Sequence, residues 1–286
     1  MNFTINKRYF YEKLSVVSRA ISVFSPLPAF SGVKIDVSAT QIVLTGSDSD
    51  ISIRSTILPD EDNQLTINDI GSIVIEAKYI LEIVRKIEGD VIEIEILDDT
   101  LTRISGTNAQ FKINGMKSTD YPAIDFSQPR ESFQISSEVL KEIITQTCFA
   151  TSDRETRPVL TGVNFSCQDH QLQCVATDSY RLAKKLVPID ATVSFNITIP
   201  SKSLQEVLKS IGEEENVTLY VDHKKAQFLI DHTIIQTRLI DGAYPETSRL
   251  IPADFSYELR IDSRELLNAI DRASFIKNDG VYIIKF

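Results

Sequence analysis

Residues 174–185 read CVATDSYRLAKK. Hydroxyls flank a carboxylate in Thr177-Asp178-Ser179, and Tyr180, Arg181, Lys184 and Lys185 follow closely. This grouping admits a catalytic cluster, a docking surface whose Arg181 or Thr177 hydroxyl satisfies a peptide backbone, or a strand that simply leaves a sheet with Arg181 paired to an acid. Other reactive residue types are sparse. Asp48 and Asp50 in SDSD invite comparison with a metal carboxylate pair, but in an alternating strand they would share one face and meet water. His170, His223 and His232 show no ligand spacing, so no metal is expected. Cys148, Cys167 and Cys174 are odd in number and lack a CxxC pair, which favours buried, reduced thiols. Phosphate-binding glycine loops and nucleophile elbows are absent, and no cofactor is implied.

The elements that must position these groups repeat along the chain. FTINKRYFYEKLSVVSRAIS opens the sequence, FQISSEVLKEIITQTCFATS begins at 133, and LRIDSRELLNAIDRASFIKN begins at 259. Each reads as a short alternating strand, a polar cap and an amphipathic helix. Phe10, Leu14 and Val17 share one helix face; Leu140, Ile143 and Ile144 share the second; Leu266, Leu267 and Ile270 share the third. Ser136 or Ser137, and Asp262 or Ser263, are expected N-caps. At an offset of 130 residues, Gly32-Val33 matches Gly162-Val163 and Asp48 matches Asp178. Further on, IVIEAKYILEIVRKIEG at 73–89 resembles ITIPSKSLQEVLKSIGE at 197–213, and Tyr121-Pro122 resembles Tyr244-Pro245. Strand–helix–strands occurs twice within each copy, at 2–58 and 73–116 in the first. The expected fold is therefore α+β, with each domain two βαβββ units of antiparallel strands. The domains fall at 1–120, 130–250 and 256–286, joined by linkers at 118–132 and 241–255.

With 286 residues and a net charge of −10, the chain is not an obvious nucleic-acid binder. The charge is nonetheless segregated. Helices expected at 7–19, 77–87, 137–149, 201–211 and 263–277 carry a surplus of about six positive charges, set against acidic strands and loops. Either the helices line a surface for a phosphate backbone, or they collect lysine and arginine through helix propensity alone. There is no apolar run long enough to span a membrane and no signal-like N-terminus, so a cytoplasmic location is expected.

The repeat, together with FTINKRYFYEKL, PLPAFSGVKI, VATDSYRLA and LIDGAYPETSRLIP, resembles the bacterial sliding clamps, the beta subunits of DNA polymerase III, over essentially the whole chain. The resemblance implies tandem clamp domains with sheets outside and two helices each on the inner face. It implies a homodimeric ring around double-stranded DNA that raises polymerase processivity and has no active site of its own. Arg19, Lys78, Arg85, Lys86, Lys202, Lys209 and Arg272 are then expected to face the DNA channel, with Arg154 and Arg157 reaching toward DNA from a loop. Leu160, Thr177, Ser179, Arg181, Leu182, Pro245 and Leu250 match a pocket for short apolar motifs of the polymerase III catalytic subunit, clamp loader and repair proteins. Phe111, Ile113, Phe275 and Ile276 match the dimer contact. The third repeat carries only its first strand, first helix and a second strand, GVYIIKF. A truncated third domain, an unpaired edge there and a chiefly monomeric chain are the corresponding expectations. Two other readings stay open: a peptide-binding module without encirclement, and, behind it, a nuclease using Asp48 and Asp50.

Overall fold

The computed structural model describes residues 1–22, 25, 27–212, 216–252, 254–275 and 284. The first repeat runs β1 (Asn2–Asn6), α1 (Lys7–Ser18), β2 (Gly32–Val37), β3 (Ile42–Ser47), β4 (Ile51–Ile57), β5 (Thr66–Asp69), β6 (Gly71–Glu76), α2 (Ala77–Lys86), β7 (Val91–Asp98), β8 (Leu101–Ser105) and β9 (Gln110–Asn114). The second runs β10 (Glu131–Ser136), α3 (Ser137–Thr147), β11 (Gly162–Gln168), β12 (Gln171–Thr177), β13 (Leu182–Pro188), β14 (Phe195–Pro200), α4 (Ser201–Ser210), β15 (Asn216–Val221), β16 (Lys225–Ile230) and β17 (Thr233–Arg238). Apart from the short β5, the two repeats have the same order, and every strand pairing is antiparallel.

Each half-repeat lends its first strand to the other half. β1 pairs with β7, while β6 pairs with β2; likewise β10 pairs with β15, and β14 with β11. This exchange brings β2 against β6 closely enough that a Cβ on Gly32 would lie 2.6 Å from Val74 Cγ1. At the matching Gly162 it would lie 2.6 Å from the Ile199 carbonyl oxygen. The paired glycines seen in the sequence are thus close-approach positions rather than turn residues.

Helix starts follow their caps. Asn6 Oδ1 accepts the Tyr9 N–H at 3.1 Å, and Ser136 Oγ accepts that of Val139 at 3.2 Å. The buried faces are Phe10, Leu14 and Val17 on α1 and Leu140, Ile143 and Ile144 on α3, as the apolar spacing requires. Phe10 meets Phe3 edge-on at 5.8 Å between ring centroids.

The two repeats are fused through main-chain pairing. Thr233–Thr237 of β17 ladders against Ser55–Ile51 of β4, making one eight-stranded sheet ordered β10-β15-β16-β17-β4-β3-β2-β6. Ile235 stands opposite Ile53, and both are fully buried. Beside them the Ser55 and Thr233 hydroxyls hydrogen-bond at 3.0 Å. Met1–Tyr244 consequently forms one compact unit. The eight-stranded sheet ends at β10 and β6, the sheet of the first repeat at β5 and β9, and the sheet of the second repeat at β13 and β14.

Pro245–Phe286 is a second unit. Its helix α5 (Ser263–Ala273) is capped by Asp262, whose Oδ1 accepts from the Arg264 and Glu265 amides at 2.9 and 3.0 Å. Leu266 and Ile270 are half-buried and Leu267 is 65% exposed, whereas the apolar faces of α1 and α3 are buried. The difference is physical: among the described residues of this unit there is no strand for α5 to pack on. Ile276 and most of GVYIIKF lie outside the described residues, so the expected contact and edge there have no structural description. No helix of the described residues is long and apolar enough to cross a membrane.

Candidate DNA-facing and docking surfaces

Thr177-Asp178-Ser179-Tyr180-Arg181 is the hairpin between β12 and β13. Asp178 Oδ1 accepts from the Tyr180 and Arg181 amides, both at 2.9 Å. Ser179 takes a positive φ of 78°. The Thr177 hydroxyl donates to the Arg181 carbonyl at 2.7 Å and accepts from the Ser179 amide at 3.1 Å. The Thr177 amide donates to the Tyr244 hydroxyl at 3.0 Å. The Arg181 amide most, and the Tyr180 amide next, hold the Asp178 carboxyl below its ordinary range, while the Thr177 bonds close the turn. They also correct one expectation. Thr177 is 5% exposed and its hydroxyl is engaged inside the turn, so of the two groups read from the sequence as able to meet a peptide backbone only Arg181 is exposed.

The first repeat contains the same turn at 47–52. Asp48 Oδ1 accepts from the Asp50 and Ile51 amides at 3.0 and 2.9 Å, Ser49 has φ 86°, and the Ser47 hydroxyl donates to the Ile51 carbonyl at 3.1 Å. Asp48 and Asp50 therefore do not alternate along a strand, as the SDSD spacing suggested. They belong to a turn, and Asp48 is committed to it, because a carboxylate two residues before a free amide closes a turn readily. Among the described residues no cluster of His, Cys, Asp and Glu is placed to hold a metal. The three cysteines are free and buried, and burial pushes each thiol up.

Beside the second turn lies a concavity of about 480 Å³. It gathers Leu160, Ser179 and Arg181 with Arg154 and Arg157 of the 152–157 loop. Arg181 pairs with Asp178 at 3.0 Å and lies over the Phe149 ring at 5.9 Å, within cation–π range. Leu182 is half-buried opposite Thr177 in the β12–β13 ladder. Leu160 is buried, so its contribution is a floor rather than an exposed anchor. In the second unit Leu250 is 61% exposed at the end of a short helical turn, Ser248–Leu250, and Pro245 is exposed. Tyr244 and Phe149 belong to this neighbourhood and were not singled out by sequence. The repeated Tyr-Pro of the linkers was the available signal for Tyr244.

The helix cations divide into two groups. Lys78 pairs with Glu76 at 2.7 Å, Arg85 and Lys86 share Glu82 at 2.8 and 2.9 Å, and Lys209 pairs with Glu206 at 2.7 Å. Hydrogen bonds from Arg85, then Lys86, bring the Glu82 carboxyl down to about 2. Among the described residues Arg19, Arg154, Arg157, Lys202 and Arg272 have no acidic partner within ion-pair distance. Arg19, at the end of α1, reaches across to α4, its Nη1 donating to Ser210 Oγ at 3.0 Å. Arg19 and Lys202 line one concavity of about 520 Å³ with Asp48, Asp50 and Arg238. Arg238 was missed because it ends a strand, and only charges on helices and on the 152–157 loop were weighed. Arg272 is exposed on α5 of the second unit. Phe111 is 39% exposed and Ile113 half-buried on the free edge strand β9; Phe275 is 79% exposed.

Tandem copies of a swapped strand–helix–strands unit, joined edge to edge, define a clamp-type α+β protein. Two models of the DNA polymerase III beta subunit match the chain, the N-terminal domain over 1–125 and the central domain over 134–246. The chain is 39% identical over 285 residues to the beta sliding clamp of Bacillus subtilis, covering 98% of this chain and 75% of that protein. The crystal structure of the Bacillus subtilis sliding clamp superposes with a TM-score of 0.95 at 38% identity, covering 98% of this chain and 75% of that one. The sliding clamp of Bartonella birtlesii bound to griselimycin gives 0.89 at 27% identity, over 99% and 76%. The chain belongs to the bacterial beta sliding clamp family.

Proposed function

We propose that this protein is a DNA polymerase processivity factor, a sliding clamp that encircles duplex DNA without reading its sequence and tethers the replicative polymerase. It performs no chemistry and serves as an accessory subunit beside the catalytic one, in the cytoplasm. The observation that carries the reading is the β4–β17 seam. It makes one sheet of two repeats while α1 and α4 bring Arg19 and Lys202, which have no acidic partner among the described residues, into one concavity. Such cations suit a phosphate backbone, whose binding is sequence-independent and steeply salt-dependent. Lys78, Arg85, Lys86, Lys209, Arg154, Arg157 and Arg272 are assigned to the same role.

Leu160, Ser179, Arg181 and Leu182, with Pro245 and Leu250, are assigned to docking of short apolar motifs from the polymerase III catalytic subunit, the clamp loader and repair proteins. Leu182→Ala and Leu250→Ala should each weaken binding of a short apolar peptide by about fivefold or more, since a buried leucine contributes roughly 1.5–3 kcal/mol. Fluorescence anisotropy with a labelled peptide measures this, and unchanged affinity in both variants removes the pocket assignment.

The β9 edge, through Phe111 and Ile113, is assigned to contact with the Phe275–Ile276 region of a second copy. Sedimentation velocity of the parent should show chiefly monomer at micromolar concentration, with association at higher concentration that Phe111→Asp with Ile113→Asp lacks. Identical behaviour of the two removes β9 from the interface.

A further inference from the structure

The turn that builds the docking pocket exists twice, and so does the concavity beside it. Stepping back 130 residues takes Leu160, Thr177, Ser179 and Leu182 to Phe30, Ser47, Ser49 and Ser52. The Tyr244-Pro245 linker has its counterpart in Tyr121-Pro122. Phe30, Ser47, Ser49, Ser52 and Pro122 all line a cavity of about 380 Å³, within the range of small-ligand and peptide side-chain pockets. Its far wall comes from the second repeat, through Lys224, Lys225, Gln236 and Arg238, so the β4–β17 seam creates it.

The linker forms a fixed wall of this cavity. Tyr121 is buried edge-on against Phe30, with ring centroids 5.3 Å apart. Lys225 Nζ binds the Asp125 carboxylate at 3.2 Å, and Gln227 Nε2 donates to the Ser127 carbonyl at 3.1 Å. Arg54 lies 4.5 Å over the Phe126 ring. Above buried Phe30, Leu27 is 44% exposed and Ile124 half-buried, leaving apolar surface for one side chain. The charges favour an anion beside it. Asp125 is already neutralised by Lys225, whereas Lys224 and Arg238 have no acidic partner among the described residues, which leaves two cations against Asp50.

We propose that this seam cavity is a second peptide-docking site, taking a short segment of a partner protein in which an apolar side chain stands next to a carboxylate. The composition parallels the second-repeat cavity: an apolar floor, a serine at the crest of the turn and an arginine at the rim. The inference rests on the reading of that second-repeat cavity as a docking pocket.

The test uses the whole chain and a labelled hexapeptide alternating aspartate with leucine and phenylalanine, with its lysine analogue as control. Calorimetry should count two sites per chain for the acidic peptide and weaker binding of the analogue. Lys224→Gln with Arg238→Gln should weaken one site about tenfold, as expected when partly desolvated charge contacts are lost, and Ala123→Trp, which fills the cavity from the exposed linker without changing charge, should abolish that same site. Arg181→Gln with Leu182→Ala should remove the other site. A single site lost with the Arg181 and Leu182 changes but indifferent to all three seam substitutions overturns the seam site and leaves the second-repeat pocket standing. A single site sensitive only to the seam substitutions supports the inference and overturns the second-repeat reading. Absence of binding, or equal binding of the lysine analogue at the seam, overturns the proposal.

Discussion

Replacing Arg19 and Lys202 together by glutamine should weaken binding to duplex DNA by about an order of magnitude per cation near 0.1 M salt, and should lower the salt slope by about two. The effect should be the same for any base sequence, because contacts to phosphate carry no sequence information. These two residues head the ranking because they have no acidic partner among the described residues and line one concavity. The opposite sign is expected at Glu82. Its carboxylate holds both Arg85 and Lys86, and Glu82→Gln should free two cations and tighten DNA binding. Acid should not do the same. The Glu82 carboxyl is depressed to about 2, so it stays ionised above that pH, and lowering the pH from 8 to 5 leaves the pairs intact. Filter binding or anisotropy against salt and pH measures all three. A Glu82→Gln variant that binds DNA more weakly than the parent would show that α2 does not face the duplex.

Ile53→Ala and Ile235→Ala should each destabilise Met1–Tyr244 by about 2–5 kcal/mol, the range for truncating a fully buried isoleucine. Because the residues oppose each other across the seam, the double variant should cost less than the sum, as contacting side chains do. Its more telling consequence is cooperativity. The seam joins the two repeats into one sheet, so the parent unit should unfold in a single step and the double variant in two. Urea unfolding followed by far-ultraviolet circular dichroism and by tyrosine fluorescence distinguishes these. Additive costs with one retained transition would mean that the coupling between repeats lies elsewhere.

Helix positions were legible because apolar spacing and caps are local. Phe10, Leu14 and Val17 announce α1, Ser136 announces α3, and the structure places both as read. Leu267 was misjudged because a helix face is buried only where something covers it, and spacing cannot say whether a covering element exists. The Thr177–Arg181 turn was half legible. Its residue types marked it, but the assignment of Thr177 as a free hydroxyl failed because a turn recruits its own polar groups. The same cause undid Asp48 and Asp50 as a strand-face pair.

The sequence by itself determined the repeat, the alternating strands, the helices and the surplus of positive charge on them. All of these are encoded within windows of a dozen or so residues or by comparison between such windows. Tertiary structure alone decided three things. It decided that Arg19 would meet Ser210 of a distant helix, whereas the pairing of Glu82 with Arg85 and Lys86, three and four residues on along one helix, is local. It decided that β4 would find β17 rather than another edge. And it decided that the first copy of the turn would overlook Lys224 and Arg238 from the other repeat. Pairing across nearly two hundred residues depends on which edges remain open after each half-repeat has exchanged its first strand, and no local pattern records that.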